Sequence, residues 1–298
     1  METNYQCDLL DMSEPWAYSV HDQLVLRGGH FNQGRKTLIH FMPGTAFGSK
    51  IYWPFLSKLA EHFDIFWHDY QGHGDSDCGN DEFHGWRAVV DRAKDVIQQH
   101  ELKSRYDNII GMGHSYGGCM TIILAGENPG LFDQLLLTDP FMVTEQQESS
   151  YRTMIPMLVE KTRKKVPTWE SESSFRDYLL ARFMFKNWEE SAIQATVAYN
   201  MQRDETGELE LRCKPVIEAG VYADVVPALW PNVSKLEMPV KIISGNQTVP
   251  FFAEAHRYAA EMNENISLSK VEGGHNFMQE YISDSYQAAK EAMEEFGY

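Results

Sequence analysis

The stretch "NIIGMGHSYGGCMTIILAGENP", Asn108 to Pro129, changes character at its centre. Its first part is a short apolar run of strand type, and its second has helical spacing that stops at Asn128-Pro129. Between them stands Gly113-His114-Ser115-Tyr116-Gly117, a G-x-S-x-G pattern. A strand that turns into a helix within so few residues needs a sharp bend, and glycines supply it where neighbouring backbones pass too close for side chains. Such a bend holds Ser115 in a strained conformation with its hydroxyl above the sheet. The helix that follows aims its free N–H groups at the same point, which favours negative charge there.

The same alternation extends to both sides of this stretch. Strand-like runs are "KTLIHFM" (36–42), "DIFWHDY" (64–70), "QLLLTDP" (134–140), "PVKIISG" (239–245) and "ISLSKV" (266–271). Helical patterns lie between them, at 49–63, 85–99 and 252–262, with a last one at 278–296. This predicts an α/β fold: a mostly parallel, doubly wound sheet with right-handed crossovers and helices on both faces. From 141 to 237 the rhythm changes to a mainly helical pattern rich in Met and aromatic residues. The expected organisation is a core of residues 1–140 and 238–298, divided by a helical insertion of residues 141–237. Met-rich helices pack adaptably, which suits a surface over a ligand site.

The bulk properties exclude several classes of function. With 26 basic and 43 acidic residues among 298, the formal charge is -17. Phosphate binding needs clustered Lys and Arg, so nucleic acid and anionic membranes are not expected partners. No run approaches the roughly 18 apolar residues of a membrane span. The start, "METNYQCDLLDMSEP", lacks a basic stretch followed by an apolar core, so no secretory signal is expected. Cys7, Cys78, Cys119 and Cys213 form no CxxC pair, which points to free thiols in a reducing, cytoplasmic setting. In that setting the sequons at Asn232, Asn246 and Asn265 carry no consequence.

A serine is a weak nucleophile near neutral pH and needs a base. His275, in "VEGGHNF" (271–277), follows the last strand-like run, and two glycines before it suit a loop that delivers an imidazole to a neighbouring turn. His40, His68, His73 and His114 read as structural or site-lining.

Ser115 in its turn, His275 after the last strand, "HFMPG" (40–44) after an early one and "DYQGHGDSD" (69–77) after the next together resemble the α/β-hydrolase superfamily, of the capped serine-hydrolase type. The resemblance covers about residues 36–296. It implies that residues 141–237 form a cap. It also implies an oxyanion hole from the backbone N–H groups of Tyr116 and Met42, although Phe41 stands where the family usually has glycine. The implied acid falls after "PVKIISG", in a pattern close to G-x-x-D, but counting on from Gly245 reaches Thr248. Other members take the acid from the strand before the cap, where this chain has Asp139. Glu254 is the second candidate.

The expected activity is hydrolysis of a small-molecule ester or related acyl bond by Ser115, His275 and Asp139, with no metal or organic cofactor. Serine at the turn argues against the dehalogenase and epoxide-hydrolase branches, which use aspartate there. Two other readings are a non-catalytic ligand-binding or scaffold protein, which Thr248 supports, and a carbon–carbon bond hydrolase or lyase.

Overall fold

The computed structural model describes residues 8–21 and 24–298; Cys7 and the rest of the first seven residues read above lie outside them. In chain order the strands are β1 (Glu14–His21), β2 (Leu24–Phe31), β3 (Thr37–Met42), β4 (Asp64–Asp69), β5 (Asn108–His114), β6 (Gln134–Thr138), β7 (Thr168–Trp169), β8 (Met201–Arg203), β9 (Leu209–Leu211), β10 (Val240–Gly245) and β11 (Ile266–Val271). Eight of them make one sheet in the order β1-β2-β4-β3-β5-β6-β10-β11. From β4 to β11 all neighbours are parallel, while β1 and β2 add an antiparallel edge.

The central strands are buried on both faces, so their sequences are continuous apolar runs rather than alternating ones. Successive residues still serve opposite sides. Leu38, Ile109, Leu135 and Ile242 join the core beneath the helices Trp86–Gln99, Tyr116–Glu127 and Pro250–Met262. Ile39, Ile110, Leu136 and Ile243 join the opposite core, beneath the helices Trp53–Leu59 and Ile282–Glu295. The fold is therefore the mostly parallel, doubly wound α/β sheet that the alternation predicts, and it agrees with the α/β-hydrolase fold that the resemblance implies.

Three features differ from the sequence expectation. Strands β1 and β2 lie outside the strand-like runs read from the sequence, and β2 contains Gly28-Gly29, a pair that weakens a strand's local signal. In the structure these glycines lie under tryptophans: a Cβ on Gly28 would come 2.5 Å from the Trp16 ring, and one on Gly29 would come 2.1 Å from that of Trp67. The last helical pattern divides into Phe277–Glu280 and Ile282–Glu295, with Tyr281 between them. The segment between β6 and β10 carries the helices Glu145–Arg163, Glu172–Leu180, Glu190–Tyr199, Pro215–Ala223 and Leu229–Val233, plus a small antiparallel sheet in the order β7-β9-β8. Strands of two or three residues are too short to register as a period.

The longest helix of this segment starts with a reciprocal cap: Thr144 Oγ1 accepts from the Gln147 N–H at 3.3 Å, and Gln147 Oε1 from the Thr144 N–H at 3.1 Å. Among the described residues, no helix is long and apolar enough to cross a membrane.

Candidate active site

The parallel register brings five strand ends to one edge. Met42 pairs with Gly113, His114 with Thr138, Thr138 with Ile243, and Gly245 with Val271. The residues just past these ends therefore meet at the carboxyl edge of the sheet, where the chain crosses from β4 to β5 over β3, the place where α/β folds form clefts.

Ser115 follows β5 with φ 54° and ψ -122°, a conformation L-residues avoid. Its N–H reaches Thr138 O at 3.3 Å and its carbonyl accepts from the Phe141 N–H at 2.8 Å, so both backbone groups are tied to the β6 end. The bend leaves no room at Gly117, where a Cβ would lie 2.3 Å from Met42 O and 2.4 Å from Pro43 O. The loop after β3 is thus pressed directly onto the turn that carries Ser115. Gly117→Ala must push backbone against backbone. It is expected to cost about 3 kcal/mol, read as a lowered calorimetric melting temperature together with weaker reactivity of Ser115.

His275 arrives from the loop after β11. Gly245 makes this possible: a Cβ there would come 2.2 Å from Gly274 O. The imidazole Nε2 lies 2.9 Å from Ser115 Oγ, and Nδ1 lies 2.6 Å from Asp139 Oδ2. Asp139 sits past the end of β6 at φ 44°, fully buried, with its N–H bonded to Ile243 O at 2.8 Å. Thus three residues from three loops form one hydrogen-bonded row: Ser115, His275 and Asp139.

A buried carboxylate must have its lone pairs occupied. Ser244 donates to Asp139 Oδ1 at 2.9 Å, and the Thr248 hydroxyl donates to Oδ2, the oxygen that also takes His275. Burial pushes the Asp139 carboxyl up, but His275, by hydrogen bond and charge, together with His256 and Thr248, holds it below its ordinary value. His256 lies 3.9 Å from Oδ1; its Nε2–H donates to Pro140 O at 2.8 Å, and Nδ1 lies 3.2 Å from Ser244 Oγ. Burial lowers the His256 pKa. The position that reads as a missing acid therefore supplies a donor to an acid from the neighbouring strand. Glu254 is elsewhere: it is exposed and accepts from Gln147 Nε2 at 2.6 Å.

Sequence reasoning missed Ser244, His256 and the function of Thr248, since nothing local marks a hydroxyl as facing a particular carboxylate. It also missed the link between the loops. His114 Nε2–H donates to the carbonyl of His275 at 2.9 Å, and Tyr52 O–H donates to His114 Nδ1 at 2.7 Å. Tyr52 in turn accepts from the Gly44 N–H at 3.1 Å. Burial and the neighbouring His275 push His114 down to about 3, so it stays neutral and keeps one donor and one acceptor. Asp69 and His73, from the "DYQGHGDSD" stretch, hold the loop after β3 from the other side. Asp69 accepts from the Ser49 N–H at 2.7 Å, and His73 Nε2 from the Ala46 N–H at 3.0 Å.

Tyr116, the first residue of the helix after Ser115, is buried, and Met42 ends β3 against Gly113, its side chain wholly buried. A cavity of about 220 Å³ opens over Ser115 and His275, bounded by Gly44, Tyr116, Tyr151 and Phe252 among others.

The family model described as serine aminopeptidase, S33 matches residues 33–260. The chain belongs to this family of α/β-hydrolases. Among curated proteins it is 23% identical over 190 residues to the type I acyl-CoA thioesterase mpaH of Penicillium brevicompactum, a match covering 62% of this chain and 39% of that one. It is 31% identical over 93 residues to the monoglyceride lipase of Mus musculus, covering 29% of this chain and 28% of the lipase. The matched stretches thus span well under half of either relative. Among solved structures, E-2-(acetamidomethylene)succinate hydrolase superposes with a TM-score of 0.79 over 95% of this chain and 99% of that one, at 18% identity. That likeness is one of fold.

Proposed function

We propose that this member of the hydrolase family is a serine hydrolase that cleaves a small-molecule carboxylic ester or related acyl bond. The observation that carries the reading is the unbroken row Ser115 Oγ, His275, Asp139, with contacts of 2.9 and 2.6 Å. Ser115 Oγ attacks the substrate carbonyl while His275 Nε2 takes its proton. The same proton then passes to the departing alcohol as the tetrahedral intermediate collapses to an acyl-enzyme. Water, deprotonated by His275, attacks the acyl carbon and releases the acid and free Ser115. Asp139 holds His275 in the Nδ1–H tautomer and stabilises the imidazolium. The N–H of Tyr116 holds the oxyanion together with a donor from the end of β3 and its loop. The resemblance nominates Met42 there, and Gly44 and Thr45 line the cavity. Each donor is worth about 3–4 kcal/mol in the transition state. Residues 141–237 act as the cap over the cavity.

The relatives support an acyl bond, since one is named a thioesterase and the other a lipase. The non-catalytic reading loses its main support, because the Thr248 that suggested it is a hydrogen-bond partner of Asp139.

Ser115 is expected to react stoichiometrically with an aryl phosphonate, and p-nitrophenyl esters to be turned over. Ser115→Ala should lose the adduct altogether, with turnover falling by about 10⁶-fold to the residual that the oxyanion hole and substrate binding sustain. Wild-type protein that gives neither adduct nor turnover would sink the proposal.

A further inference from the structure

Beyond the cavity over Ser115 lies a second one of about 230 Å³, on the side of the inserted segment. Tyr116, Phe141 and Tyr151 line both cavities, so these three rings are the wall between them. Each cavity alone falls below the roughly 300–1,000 Å³ of ordinary ligand sites, and joined they fall within it.

The three rings are not held equally. Tyr116 is stacked between Trp86, at 4.7 Å and 4°, and Phe141, at 4.2 Å and 9°. Sandwiched in this way and fixed to the turn at Ser115, it has no room to swing. Tyr151 meets Phe141 only at a tilt, 5.3 Å between centroids, and its hydroxyl bonds that of Tyr116 at 2.9 Å. It rides on the helix Glu145–Arg163, of whose 19 residues only Gln147 and Thr162 are buried and which contains Pro156. A proline inside a helix removes a backbone hydrogen bond, here the one to Arg152, next to Tyr151. One phenol–phenol hydrogen bond is worth about 0.5–1.5 kcal/mol, within reach of a bound substrate's differential affinity.

The second chamber's lining is mixed, and its apolar part includes Val143, Ile155, Leu229 and Trp230. The charged residues beside it are Glu145, Glu148, Asp224 and Arg152, and Arg152 is paired with Glu148 at 2.5 Å. An acidic rim whose single cation is already paired does not suit phosphates, which need clustered Arg and Lys.

We infer, on the reading of Ser115 as the nucleophile of an ester hydrolase, that Tyr151 is a gate: when it swings away from Tyr116, the far end of a long aliphatic substrate enters the second chamber. The substrate class is then a long-chain ester without an anionic distal group, rather than an acyl group on a polyphosphate carrier.

Two measurements test this separately from the catalytic reading. The first is binding to Ser115→Ala, which needs no turnover. Trp230 lines the second chamber and bromine quenches indole fluorescence on contact, so long-chain esters brominated at the terminal carbon of either the acyl or the alcohol part are titrated in. One of them is expected to quench a component that disappears in Ser115→Ala/Trp230→Phe, and the active one identifies which half enters the chamber. A brominated butanoate ester should not produce this component. The second is the ratio of kcat/KM for dodecanoate over butanoate esters. Tyr151→Ala should raise it by about 10-fold or more, with Tyr151→Phe, which keeps the ring and loses the hydrogen bond, falling between it and the wild type.

No Trp230-dependent quenching by either long ester overturns the gate, whatever the enzyme's activity. An unchanged chain-length ratio in an active Tyr151→Ala does the same. Quenching without turnover of any ester would leave the chamber standing and count against the hydrolase instead.

Discussion

Asp139→Asn is expected to lower kcat for ester hydrolysis by about 10⁴-fold, while the protein remains folded. The charge that stabilises the imidazolium is gone in this variant. The hydrogen bonds can re-form, because the new amide N–H can donate to Ser244 Oγ, and Ser244 can turn its own hydroxyl to His256 Nδ1 at 3.2 Å. The loss then measures the carboxylate, which fixes the His275 tautomer and stabilises its charged form, rather than a collapsed site. Thr248→Val removes one donor to Asp139 while His275 and Ser244 remain. One hydrogen bond to a charged group is worth about 1.5–3 kcal/mol, so a fall of about 10- to 100-fold is expected. Steady-state kinetics on one soluble ester, with Glu254→Gln alongside, separates the cases. Full activity in Asp139→Asn together with loss in Glu254→Gln would move the acid to the helix after β10.

A second large effect is loss of stability in mild acid. His30, His40, His68, His73 and His114 are buried. Burial pushes His30 and His73 down to about 4 and His40 and His114 to about 3, and His68 well below its ordinary value. A histidine whose pKa is lowered by folding is protonated more readily in the unfolded chain. Stability therefore does not depend on it above about pH 6.5 and falls as the pH drops from there towards the folded-state value. Each such group costs about 1.4 kcal/mol per pH unit in that window. Buried Asp69 works the other way: burial, and then the neighbouring Asp75, raise it to about 6, so it gains stability as the pH falls from there to its unfolded value near 3.8. One carboxylate offsets one histidine and leaves the rest. Since a domain is stable by only about 5–15 kcal/mol, unfolding is expected between roughly pH 6 and 4. Urea denaturation at neutral pH and near pH 5 measures it, and His40→Gln should flatten the slope by one histidine's share. A midpoint that does not change across this interval would contradict the account.

Two positions show how much of the site a linear reading contains. At the turn, Gly113, Ser115 and Gly117 stand between an apolar run and a helical one. The constraint there is local, because backbone that bends within five residues dictates its own side chains. The histidine loop is legible for a similar reason, since two glycines precede His275 at a strand end. At the acid, local information stops. Asp139, Thr248 and Glu254 all lie near strand ends, and each can be read as a cap or turn residue.

The amino-acid sequence by itself determined the α/β alternation and the strand–turn–helix around Ser115, because periodicity and bends are properties of neighbours along the chain. Only the tertiary structure decided that β6 and β10 lie side by side in register, which puts Asp139 against His275 and turns the Thr248 hydroxyl onto the same carboxylate. It also placed Trp16 and Trp67 over Gly28 and Gly29, in two strands that lie outside the runs read from the sequence. The physical reason is the same for each: these are contacts across the sheet, between residues tens of positions or more apart, and a buried charge or a glycine takes its meaning from what packs against it.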